Sequence, residues 1–109
     1  MENKELITLK IGTIEGRHPL PVDDYFIKED ENMFDFEEID NKIENKWKEI
    51  RLKYPNNPIY VELYCTGLTY VTIATIEFLI SINISYSTYH YDNQTNEYIE
   101  MEGMLNVRM

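Results

Sequence analysis

Two periodicities alternate along this chain. Leu6, Ile7, Leu9 and Ile11 predict an opening strand that Gly12 ends, and Thr13 to Asp24, with Gly16 and two prolines, reads as an ordered loop before a short strand at Tyr25 to Ile27. From Phe36 the spacing changes. Phe36, Ile39, Ile43, Trp47, Ile50 and Tyr54 recur every three or four positions and predict a helix over about 36–54. Asp35 stands at its cap with Glu38 three positions on, in the manner of a capping box, and Pro55 stops it. The other face, with Glu37, Asp40, Glu44, Lys48 and Arg51, reads as solvated. After the turn Asn56-Asn57-Pro58, the apolar residues Ile59, Val61, Leu63 and Cys65 alternate with Tyr60, Glu62 and Tyr64, the mark of a central strand. The β-branched run over 69–81 is too long for an ordinary strand and predicts a second, nearly all-apolar helix. A strand from Ile84 to His90, a turn at Asp92 to Asn96 and a returning strand from Glu97 to Met101 complete the pattern. The expected fold is therefore a single α/β domain over 1–109: a small sheet with a Rossmann-like β-α-β crossover, two helices and a C-terminal β-hairpin.

Composition narrows the partners. A chain of 109 residues has room for one core. Twenty acidic against ten basic residues give a net charge of −10, which disfavours direct nucleic-acid binding and suits a basic protein surface, although acidic surfaces also serve solubility alone. The single cysteine forms no internal disulfide and no basic-then-apolar leader opens the chain, so a cytoplasmic setting is expected, the host cytoplasm if the protein is virus-encoded. The longest apolar run, Tyr70 to Ile82, is interrupted by polar residues and too short to cross a bilayer, so no membrane partner is expected.

Candidate chemistry gathers where strands end. A crossover from the central strand to the next would bring Cys65 to Thr69 and His90 to Asp92 to one edge of the sheet, where α/β proteins hold ligands. Thr66, Gly67 and Thr69 at a strand-to-helix junction can present backbone N–H groups and hydroxyls to an anion; a plain turn capped by Thr explains them as well, since one glycine meets neither phosphate-loop fingerprint. His90, Tyr91 and Asp92 offer an imidazole and a carboxylate, against the alternative of a strand histidine and a turn aspartate. Arg17 and His18, between Gly16 and Pro19, form the one Arg-His pair, and Arg17 suits bidentate phosphate contact or a surface ion pair. Cys65 reads as a core residue, no spacing matches a metal site, and no cofactor is expected.

The strand, Thr-Gly turn, hydrophobic helix, strand ending in Tyr-His-Tyr-Asp and returning Glu-Tyr-Ile, together about residues 59–101, resemble the CRISPR-associated Rossmann-fold sensor domains and the small CRISPR-associated ring nucleases that bind cyclic oligoadenylate. Leu68 and Tyr70 stand where the sensors carry a second glycine and a lysine. The resemblance implies ligand contacts at Thr66, Gly67, Thr69, His90 and Asp92 and assembly as a dimer or higher homo-oligomer. It makes the leading expectation a binder of a nucleotide-type immune messenger, as a sensor or, in the form a free-standing domain favours, a phage- or mobile-element-encoded sponge, with Tyr64, Tyr89 and Tyr91 available to stack on a base. Two alternatives stand beside it. One is an acidic inhibitor filling the basic nucleic-acid channel of a host defence protein through Glu29 to Glu49. The other is a cyclic-nucleotide phosphodiesterase using His90 or His18 with Asp92.

Overall fold

The computed structural model describes residues 4–15, 21–28, 35–65, 69–92 and 94–100. Its elements are β1 (Ile7–Ile14), β2 (Asp24–Ile27), α1 (Phe36–Lys53), β3 (Ile59–Cys65), α2 (Thr69–Ser81), β4 (Ser85–Asp92) and β5 (Glu97–Glu100). The expected α/β class, both helices, the β3-α2-β4 crossover and the terminal hairpin are all present. One mixed sheet has the order β2-β1-β3-β4-β5, parallel throughout except for the antiparallel β4-β5 pair.

Local chemistry explains the helix ends. The Asp35 carboxylate accepts from the backbone N–H groups of Glu37 at 3.1 Å and Glu38 at 3.2 Å, satisfying two donors that the first turn of α1 leaves open. At the other end of α1 the Tyr54 N–H still reaches the Ile50 carbonyl, and Pro55 follows. α2 closes with Asn83 at φ 61°, its N–H on the Ile80 carbonyl and the Ile84 N–H on Leu79, the paired pattern of a helix that stops in a left-handed residue.

Two strand boundaries differ from the sequence reading. β1 does not end at Gly12 but runs on to Ile14, because Gly12 is paired on both sides, with Tyr25 of β2 and Tyr64 of β3. Having no side chain there leaves room for the two rings that flank it. β4 likewise passes His90 to Asp92, since β5 offers Tyr98 and Glu97 as partners for its last two residues.

Connections set the layers. Both helix-bearing crossovers, β2-α1-β3 and β3-α2-β4, step across the sheet in the same direction, and crossovers of one hand then put both helices on one face. Accordingly α1 and α2 touch: Phe36 stacks on Tyr70 at 4.2 Å and Trp47 meets Phe78 edge-on at 6.5 Å. Beneath them Ile39, Ile43, Trp47 and Ile50 of α1 and Val71, Ile76 and Leu79 of α2 close over Ile11, Val61 and Leu63. Lys46 reaches down to Asp24 at 2.6 Å and ties α1 to β2.

Arg51, expected on the solvated face with Glu44 and Lys48, is instead half-buried. Its guanidinium lies over Trp47 and donates to the carbonyls of Tyr54 at 3.0 Å and Asn57 at 2.7 Å, while the Asn57 amide donates to the Glu5 carbonyl at 2.8 Å. The end of α1, the turn after it and the approach to β1 are thereby joined.

Two outcomes follow. Leu63→Ala, which empties a fully buried position, should cost about 3 kcal/mol in urea unfolding. Burial alone would raise the Asp24 carboxyl, but the hydrogen bonds from Lys46 and the Tyr25 N–H, with the charges of Lys46 and Lys28, hold it below its ordinary value of 3.8. Its contribution is complete above that value and is lost as pH falls through the lowered one. Acid titration of Lys46→Met should therefore show a shallower fall in stability below about pH 4 than the parent protein.

Candidate functional site

β3 and β4 are parallel neighbours in register from Tyr60 opposite Ser85 to Cys65 opposite His90, so the ends of these strands meet at the carboxyl edge as the crossover requires. Thr69, exposed, is the first residue of α2 at the same edge. Arg17, His18, Thr66 and Gly67 lie outside the described residues.

Strand order moves the centre of the edge. From β1 the chain steps one way to β2, then returns past β1 to β3 and continues to β4, so its direction reverses between β1 and β3. That reversal is the point where open α/β sheets form a crevice beyond the strands' carboxyl ends. In sequence, Arg17 and His18 follow the end of β1 by three and four positions, and Thr66 directly follows β3. The reversal thus falls between the two strands that these segments follow in sequence, and leaves His90 one strand to the side.

The groups at the edge have defined states. Cys65 is buried, its thiol pushed up to about 11 by that burial and directed at the Leu63 carbonyl at 3.8 Å; it is a neutral core group, as its strand pattern suggested. His90 lies between Cys65 and Ile99 on the face that the helices cover, and burial lowers its pKa from 6.5, keeping the imidazole neutral at pH 7. Asp92 holds the turn into β5. One carboxylate oxygen accepts from the Gln94 N–H and the other from the Thr95 hydroxyl, both at 3.1 Å, and its carbonyl takes the Asn96 N–H at 2.8 Å. Of the two roles open to Asp92 in the sequence, the described geometry displays that of a turn former.

Tyr64, Tyr89 and Tyr91 do not share a face with His90. Alternation along β3 and β4 turns them to the sheet surface opposite the helices, where Tyr64 and Tyr89 stack at 4.7 Å and Tyr98 meets Tyr64 at 5.4 Å and Tyr91 at 5.3 Å. Tyr91 also donates through its hydroxyl to the Asn96 side chain at 2.8 Å. The clustering was missed in the sequence because it depends on register: Tyr98 falls opposite Tyr91, and Tyr25 reaches the same row through Gly12.

Among the described residues no helix is long and apolar enough to cross a membrane, and no three His, Cys, Asp or Glu side chains converge to hold a metal. The chain matches no protein-family model, no curated protein and no solved structure.

The histidine gives a pH test. As pH falls below 6.5 the unfolded chain takes up a proton at this position before the folded one does, so stability declines until the lowered folded pKa is passed. His90→Gln should remove that part of the decline, read from urea midpoints across the interval from about pH 7 to 5.

Proposed function

We propose that this protein binds a nucleotide-type messenger, a cyclic oligonucleotide, without turning it over, in the crevice beyond the carboxyl ends of β1 and β3. The observation that carries this reading is the reversal of chain direction between those two strands. Arg17 and His18 after β1 and Thr66, Gly67 and Thr69 leading into α2 supply the phosphate contacts, with the first-turn N–H groups of α2 adding their dipole. The neutral imidazole of His90 donates a hydrogen bond from the side.

Binding without cleavage is the favoured form because the chemistry of cleavage is poorly served. The thiol of Cys65 is protonated and buried, and both oxygens of Asp92 are engaged in a turn, which leaves His90 without that carboxylate to orient it. A sequestering protein needs the crevice alone. In the expected dimer, two such edges would face a cyclic ligand across its two-fold axis, as symmetric ligands and symmetric assemblies permit. Acting in this way, the protein withholds an immune signal from its effector, the role of a phage- or mobile-element-encoded sponge.

Thermal melts with cyclic di-, tri-, tetra- and hexa-adenylate test the proposal. One of them at a hundred times its Kd should raise the midpoint by roughly 10 °C. Arg17→Ala and Thr66→Val should each abolish most of that shift, and the ligand should be recovered intact. A melt unmoved by all four compounds overturns the reading; loss of the ligand that stops in His90→Ala overturns the non-enzymatic form of it.

A further inference from the structure

Six of the nine tyrosines, Tyr25, Tyr60, Tyr64, Tyr89, Tyr91 and Tyr98, project from the sheet face that neither helix covers. The arrangement is a row with flanks. Tyr25, Gly12, Tyr64 and Tyr89 are successive partners across four strands, and Tyr91 and Tyr98 pair one step further along. Rings pack on rings at 4.7 to 5.4 Å, so the array is rigid before anything binds. Its coverage is graded: Tyr64 at the centre and Ile14 and Ile27 at one corner are buried, Tyr25, Tyr60, Tyr89 and Tyr98 are partly exposed, and Tyr91 is 48% exposed. Apart from Tyr64 these rings stop short of full burial, and solubility is poorly served by so many aromatic groups together.

We propose that this face is a docking surface for a basic protein partner whose arginines stack on the tyrosine rings. Three classes of occupant compete, and charge separates them. Bases also stack on tyrosine, but a protein of charge −10, with Lys10 as the one cation among the described strand residues of this face, repels a phosphate backbone. A second copy would bring another ten negative charges to a face that already carries Glu62 and Glu100. A cationic partner meets neither objection. Glu62 and Glu100 on the same face complement it, and a guanidinium is the cation that can both lie flat on a ring and bond to a carboxylate. Tyrosine and arginine are also the side chains most enriched where protein interfaces concentrate their energy. This surface is distinct from the crevice, so the two activities stand or fall separately.

Isothermal titration of the full chain with arginine and lysine decamers of equal charge is the test. The arginine peptide should bind about tenfold more tightly than the lysine peptide. Tyr89→Leu and Tyr91→Leu should each erase that preference, while Tyr89→Phe, which keeps the ring, should retain it. Reversing Glu37 and Glu44 on α1 should weaken both peptides without changing their ratio. Equal affinity for the two peptides, or a preference indifferent to Tyr89→Leu and Tyr91→Leu, overturns the proposal. So does tighter binding of single-stranded DNA than of the arginine peptide, or a sedimentation dimer that Tyr91→Glu dissociates. Cyclic-nucleotide melts of the Tyr91→Leu protein should match those of the parent, which keeps a failure here separate from a failure of the crevice.

Discussion

The one-sidedness of the helical layer is the constraint on which the rest of this molecule depends. Because both crossovers advance the same way across the sheet, α1 and α2 lie side by side and pack against each other as well as against the strands. The apolar halves of β1 and β3 are spent on that one interface, with Val61 and Leu63 fully buried. On the opposite halves of the same strands only the side chains at the carboxyl ends, Ile14 and Tyr64, are buried. The remaining side chains are Thr8, Lys10, Tyr60 and Glu62, which tolerate both water and a partner.

Much of this was legible along the chain. The spacing from Phe36 to Tyr54 defines α1 to within a residue, the length of the apolar run identifies α2 despite its β-branched content, and Ile59 to Cys65 alternates as a strand must. What escaped was decided by neighbours distant in sequence. Gly12 looks like a terminator until β2 and β3 flank it, and Arg51 looks like one more solvated charge until the turn carbonyls of Tyr54 and Asn57 are placed beneath it. The candidate site divides in the same way. That Cys65 and His90 should end side by side follows from one crossover, whereas the reversal at β1 and β3 requires the order of all the strands.

The carboxyl edge and the tyrosine face differ in physical kind. Where β3 and β4 end, the described side chains are neutral or already engaged: a protonated thiol, an uncharged imidazole, a carboxylate holding a turn. On the open face large preformed rings offer area and polarisable surface but little directional bonding. The proposed occupants differ accordingly, a small anionic ligand for the edge and another macromolecule for the face.

The bonds around Arg51 make the two ends of the sheet mechanically unequal. At the amino end, the guanidinium holds Tyr54 and Asn57, and Asn57 holds Glu5, so a helix terminus, a turn and the entry to a strand behave as one anchored block. At the other extremity, over the carboxyl rim, α1 meets α2 through the stacked rings of Phe36 and Tyr70, so directional bonds anchor the end of the helix and side-chain packing holds its start.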